Sequence, residues 1–327
     1  LEFLNRTNKT IERFMPIITP SCLALGVLFP QITGHFLPFV TILFAFMTFQ
    51  GSLGSDFRQV ARVFRHPLPM IVILLLLHVW IPCLARFIGG VAFGFDKSLV
   101  AGIVLEYVVP TGIVSFMWVS IYRGNGALTL STILIDTVLA PIFVPVSLQI
   151  LLGTSVQINA VDMMKDMAFM VAVPAVLGMA VNHLSHGRAN TTVKPALAPF
   201  SKLALILVVS GNSSRVAPFI RHLTPTLVGV ALLILCIAAS GYLWGWLAAK
   251  LLHQPRETLI SMTYNSGMRN ISAGAVLAGA YFPAEVMFPV MIGTLFQQVL
   301  ASLYGLLIKK KFGEAVEDAD KNRQASA

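Results

Sequence analysis

Two short stretches set polar and helix-breaking residues inside long apolar runs: Glu106-Tyr-Val-Val-Pro-Thr-Gly112 and Thr263-Tyr-Asn-Ser-Gly-Met-Arg-Asn270. Arg269 stands out first. At the centre of a membrane helix an arginine costs roughly 2.5–3.5 kcal/mol, so it must face a partner or a water-filled cavity. Its guanidinium forks onto carboxylates. The carboxylate is either that of a bound organic anion or one of the chain's own, Asp136 or Glu106; a permanent Asp136–Arg269 pair would be a structural lock. Pro110 removes a backbone donor, and Gly112 and Gly267 lower the cost of unwinding a helix. A broken helix exposes N–H ends that hold anions and C=O ends that hold cations. Substrate binding is therefore assigned to Arg269, Asn265, Asn270, Thr111, Gly112, Pro110, Ser266 and Gly267. Ion coupling is assigned to Asp136, Glu106, Ser115, Thr129, Thr132, Met268 and His78. Ser131 belongs to the same polar set, while Gln297 and Gln298 either line the cavity or join helices. Any single Ser or Thr can bond back to its own helix, so the signal is their convergence. His78 lies among leucines and is either a proton shuttle or a packing residue.

Other chemistries find no footing. The sequence contains no GxxxxGK[ST] phosphate loop, no HExxH, no GxSxG and no His/Cys cluster suited to a metal, so neither an enzyme nor a bound cofactor is expected. Cys22, Cys83 and Cys236 sit in apolar blocks without metal-ligand spacing and read as small buried hydrophobes.

The elements that must position these residues are membrane helices. Hydrophobic residues make up 56% of the chain and charged residues only 11%, against about 25% charged in a soluble domain. Apolar blocks at about 14–33, 36–54, 67–92, 98–122, 126–152, 162–184, 194–212, 224–250, 256–281 and 284–309 match the length that spans ~30 Å of hydrocarbon. The expected fold is all-α, with ten transmembrane helices and both interrupted stretches near mid-block in blocks 4 and 9. Residues 1–13 read as a cytoplasmic N-terminal segment, and 312–327 as a polar cytoplasmic tail too poor in apolar residues to fold alone. The first block runs on without a small-residue cleavage site, as a retained helix does.

The net charge of +9 comes from Lys and Arg scattered between blocks, which points to lipid headgroups rather than nucleic acid. With the N-terminus inside, 17 of these cations fall on the inner side and 5 on the outer, placing both termini in the cytoplasm and the chain in the plasma (inner) membrane. The halves 14–153 and 154–311 resemble each other at an offset of 155 to 157 residues, with Pro67 matching Thr224 and Gly112 matching Gly267. Five helices per half is odd, so the repeats must be inverted.

The chain resembles the bile acid:sodium symporter family across nearly all ten blocks. The resemblance rests on Gly54-Ser55-Asp56 followed by Phe57-Arg58, Pro110-Thr-Gly112, Arg123-Gly-Asn-Gly-Ala-Leu128, Ala140-Pro141 and Gly267-Met268-Arg269-Asn270. It implies a panel of helices 1, 2, 6 and 7, a core of helices 3–5 and 8–10 in which broken helices 4 and 9 cross, two sodium ions beside the crossing, and an organic anion between the domains. The family's ninth-helix pattern Glu-x-Gly-x-Gln-Asn is Asn265-Ser-Gly267-Met-Arg269-Asn270 here. The Ser-Asn pair of helix 4 is Ser115-Phe116, and of the helix 5 hydroxyls Thr129 remains while the second position is Ile133. An arginine cannot ligate a cation, so Arg269 is expected to stand in for one sodium as a tethered charge.

These readings converge on a secondary transporter that moves a small organic anion, bile-acid-like or another carboxylate, by alternating access with a proton as coupling ion. The alternatives are a sodium symporter with a non-standard ion site, or a non-transporting membrane sensor of such an anion. Oligomeric state is left open.

Overall fold

The structure is a computed structural model that describes residues 18, 21–55, 67–153 and 159–325, with side chains up to residue 312. The N-terminal segment 1–13, the start of block 1, and Asp56, Phe57 and the Arg58–Arg65 cations lie outside the described residues. Among those described every regular element is helical. In chain order they are α1 (21–28), α2 (Pro30–Ser52, 3-10 over Gly34–Phe39), α3 (Leu68–Phe93, a π turn over Leu76–Trp80), α4 (Lys97–Val108) and α5 (Val114–Ile121). There follow α6 (Gly126–Leu152), α7 (Ala160–Leu184, a π turn over Ala168–Ala172), α8 (Arg188–Thr191), α9 (Val193–Arg221) and α10 (Pro225–Leu251). The last are α11 (Arg256–Gly267), α12 (Ile271–Tyr281) and α13 (Met287–Ala325).

Among the described residues seven helices are long and apolar enough to cross a membrane: α2, α3, α6, α7, α9, α10 and Ala284–Phe312. The chain is a multi-pass membrane protein. Blocks 4 and 9 are each divided in two by the breaks expected from their prolines and glycines, so neither half reaches spanning length. Along α9 the chain reverses between α1 and α2. Gly26 meets Ser210 and Ser213, the Arg221 guanidinium donates to the carbonyls of Val27 and Leu28, and Gln50 then donates to the carbonyl of Lys194 at the other end.

Local chemistry explains where helices begin. Asp96 caps α4 by accepting from the amides of Ser98 and Leu99, Asn125 caps α6 through Leu128, and Thr224 caps α10 through Leu227. Two sets of packing neighbours emerge. Helices α7 and α9 each lie against α2, while α10 lies along α11, and α4, α5, α6 and α11 surround the breaks.

Two expectations need correction. The polar tail does not leave the helix: α13 runs unbroken from Met287 to Ala325, because Ala, Glu and Lys propagate a helix once a packed segment has nucleated it. Cys22 is buried, but Cys83 and Cys236 are exposed, on surfaces where a membrane protein meets lipid instead of water.

Candidate functional site

The site grows from two interruptions of matched length. Helix α4 has 12 residues and ends at Val108; Val109 is extended, and Pro110 offers no amide to continue the ladder. Helix α11 also has 12 residues and ends at Gly267, with Met268 extended at φ −100° and ψ 143°. The breaks then meet. The Asn270 amide donates to the Pro110 carbonyl at 2.8 Å, and a Cβ on Gly112 would lie 2.9 Å from the Arg269 carbonyl oxygen. Glycine at 112 is thus what lets two unwound backbones touch. Gly267 has a similar reason: a Cβ there would enter the Tyr242 ring. Asn270 closes the second break by capping α12 through the Ala273 amide at 3.2 Å.

Unwinding leaves amides that need acceptors. The Thr111 amide donates to Asp136 Oδ2 at 2.6 Å, and the Arg269 amide donates to Gln297 Oε1 at 2.8 Å. Asp136, fully buried on α6, places its other oxygen 2.5 Å from His78 Nε2. His78 sits in the π turn of α3, a local widening that turns one side chain out of helical register. Its ring leans on Phe143 at 4.8 Å between centroids and borders a groove of about 390 Å³ lined by Ile71, Leu74, Phe143 and Ser147 among others.

Asn265 ties the halves together. Its Oδ1 accepts from Ser115 Oγ at 3.2 Å, its Nδ2 donates to Thr129 Oγ1 at 3.0 Å and to the Ser261 carbonyl at 2.8 Å, and its own carbonyl accepts from Thr111 Oγ1 at 3.0 Å. The residues that the family resemblance would give to sodium therefore satisfy one another through neutral hydrogen bonds. With an amide at 265 and a guanidinium at 269, this set carries neutral oxygens and a fixed positive charge and no anionic oxygen.

Arg269 is 3% exposed and makes no ion pair within 4.0 Å with any acid among the described residues. The structural lock with Asp136 is thus absent, because Asp136 has both oxygens committed to His78 and Thr111. A pair with Glu106 is absent too, although both acids lie within electrostatic range of the guanidinium. Its Nη1 donates to the carbonyls of Ser266 at 2.9 Å and Met268 at 3.2 Å; its Nε has no partner, and its carbon lies 5.9 Å from the Tyr107 ring centroid. An arginine carries five donors in one plane, so an edge of the fork is free for an anion. Glu106 packs its carboxylate against Gly293 of α13, with Oε2 unpartnered. Thr132 Oγ1 and Ser266 Oγ are likewise buried without a partner.

Of the residues assigned from the sequence, Pro110, Thr111, Gly112 and 265–270 form the two breaks, Ser115, Thr129 and Asp136 bond to them, and His78 joins through Asp136, while Thr132 Oγ1 and Glu106 Oε2 bond to neither break. Three contributors were not read there: Tyr107 beneath the guanidinium, Tyr242 behind Gly267, and the bond from His78 to Asp136. Gln297, left between lining the cavity and joining helices, holds the Arg269 amide. An aromatic next to an acid inside an apolar run was the one signal available for Tyr107. Nothing local links residues 78 and 136.

Comparison with known proteins adds an independent line. Residues 41–222 match the model of the Sodium Bile acid symporter family. The chain is 43% identical over 296 residues to the uncharacterized protein YbaS of Bacillus subtilis, covering 90% of this chain and 97% of that one. It is 25% identical over 303 residues to the uncharacterized sodium-dependent transporter YocS of the same organism, covering 88% and 89% respectively. A further relative, 24% identical, is the probable sodium/metabolite cotransporter BASS3, chloroplastic, of Arabidopsis thaliana, with 75% of this chain and 57% of that one covered.

Proposed function

Since this chain belongs to the sodium bile acid symporter family, we propose that it is a membrane transporter that carries a small organic anion by alternating access, with a proton as the coupling ion. The observation that carries the reading is Arg269: a buried guanidinium at the meeting of two broken helices, with its Nε unpartnered and no acid among the described residues paired to it. An anion there receives the fork of Arg269, the unpartnered hydroxyl of Ser266, the side-chain amide of Asn270, and the positive N-terminal ends of α5 and α12.

Ten helices in two inverted repeats supply the frame, with α1, α2, α7 and α9 as the panel and α3–α6 with α10–α13 as the core. The equal arms α4 and α11 and the two sets of packing neighbours support this. Both termini lie on the cytoplasmic side of the plasma membrane. As the core rocks against the panel, the crossing faces each side in turn.

In this account the coupling proton resides on the His78–Asp136 pair. Arg269 lies within electrostatic range of Asp136, and Glu106, Tyr107 and Tyr242 are the other ionisable groups about that guanidinium. Protonation weakens the grip of Asp136 on the Thr111 amide, and that amide belongs to the substrate break. One net positive charge moved inward per cycle, which takes two protons with each monovalent anion, gains ~2.3 kcal/mol per 100 mV, enough for roughly fifty-fold accumulation. Sodium coupling is the second reading, favoured by the relatives that are named sodium-dependent.

Proteoliposomes loaded to impose a sodium gradient or a proton gradient, one at a time, test the proposal with labelled pantoate, pyruvate and taurocholate. Uptake driven by protons without sodium is expected. Uptake that requires sodium overturns the proton assignment, and no uptake of any acid overturns the anion reading.

A further inference from the structure

Helix α9 carries a second set of anion-binding groups away from the breaks. Asn212 is 2% exposed, and its Nδ2 has no hydrogen-bond partner. Arg215, one turn further along, makes no hydrogen bond or ion pair among the described residues; its guanidinium rests on Gly279 of α12, close to Met287. Neighbouring cations behave otherwise. Arg221 on the same helix is held by the carbonyls of Val27 and Leu28.

The helical register tells which way these groups face. Ser210 and Ser213 meet Gly26, and Gly211 meets Phe36 and Val40, so those positions look toward α1 and α2. Asn212 and Phe219 face away from them, and Arg215, between that face and the one of Gly211, reaches Gly279 of α12. Phe219 confirms the direction, with its ring 6.4 Å from that of Phe288 on α13. Arg215 meets Gly279 in α12, whereas Phe219 meets the start of α13, so α9 and α12 ascend together. Asn212 therefore lies about 4.5 Å nearer than Arg215 to the level of the Met268–Asn270 break, at ~1.5 Å per residue. Helix α12 opposite is built of small residues, Ser272-Ala-Gly-Ala and Ala278-Gly-Ala280, which let the Arg215 guanidinium lie directly on its backbone at Gly279.

We propose that Asn212 and Arg215 form a carboxylate-binding subsite on the outer half of the α9–α12 seam, which an anion occupies before it reaches Arg269. The inference rests on the anion-transport reading above and extends it to the helix that faces the breaks. The seam must part for a substrate to pass, and parting presents one amide N–H and one guanidinium a turn apart on α9. An amide donor beside a guanidinium suits a carboxylate or sulfonate and not a cation or a neutral solute.

The test compares the full-length protein with R215Q, R215K, N212L and N212D, using pantoate, pyruvate and taurocholate as probes. Asn212→Leu keeps the branched shape without the amide donor, and Asn212→Asp offers Arg215 an internal carboxylate. Uptake from the outer side in R215Q, N212L and N212D should show KM raised about tenfold with kcat unchanged, and R215K should fall within about twofold of wild type. KM for exit from the inner side should not move. Thermal stabilisation by the same acids, read on detergent-purified protein, should weaken in R215Q yet persist in part in R269Q, which abolishes transport. Wild-type KM in both R215Q and N212L overturns the subsite while leaving the Arg269 reading intact. A wild-type protein neither stabilised by nor transporting any of the acids overturns both.

Discussion

Replacing Asp136 by Asn removes the charge of the site while keeping its shape. The carboxylate accepts two short hydrogen bonds, from the Thr111 amide at 2.6 Å and from His78 at 2.5 Å, both with a charged acceptor and away from solvent. Bonds to charged groups contribute ~1.5–3 kcal/mol each, and neutral ones ~0.5–1.5 kcal/mol. Asparagine retains a neutral bond to Thr111 through its oxygen and gives its amide to His78, so the net loss is about 2–4 kcal/mol. The companion change His78→Gln breaks the same contact from the other side, and the double variant should recover ~1.5–3 kcal/mol of the summed losses. SDS-titration unfolding of the purified protein measures all four corners of the cycle. A parallel cycle with R269Q and D136N should give a smaller coupling than the His78 cycle, since those side chains share no hydrogen bond and interact only through longer-range charge. Coupling in the Arg269 cycle larger than in the His78 cycle would refute the reasoning and restore the lock. Uptake by D136N should also lose its response to a proton gradient.

Three further outcomes follow from the same geometry. Gly112→Ala places a methyl 2.9 Å from the Arg269 carbonyl, forces the breaks apart and should cost about 1–3 kcal/mol with loss of transport, as read by unfolding and uptake. Asn265→Leu strips Ser115 and Thr129 of their partner and should lower stability by ~1–3 kcal/mol in the same unfolding assay, through buried polar groups left unmade. Asn265→Glu combined with Arg269→Gln restores an acid beside Ser115 and Thr129 and removes the tethered cation; uptake by this double variant should become sodium-stimulated, and persistent indifference to sodium would count against Arg269 as the replacement charge.

Much of the site was legible because membrane helices are plain and departures from plainness stand out. Pro110, Gly112 and Gly267 marked both breaks, and Arg269 and Asp136 were conspicuous as charges inside apolar runs. Partner choice was not legible. An arginine and an aspartate in one membrane core invite pairing by charge, yet the Thr111 amide, orphaned by the proline after Val109, competes for the same carboxylate. His78 looked like a packing residue among leucines, and only the π turn that rotates it toward α6 distinguishes it. The helical tail was missed for another reason: a segment unable to fold alone can still extend a helix already begun.

The account stands or falls on what meets Arg269. The most direct measurement is uptake of labelled pantoate, pyruvate and taurocholate by wild type, R269K and R269Q reconstituted side by side, with folding checked by unfolding midpoint. We expect wild type to transport at least one acid, R269K to retain a reduced rate because it keeps the charge without the fork, and folded R269Q to transport none. A folded R269Q that transports the same acid at the wild-type rate would contradict the account.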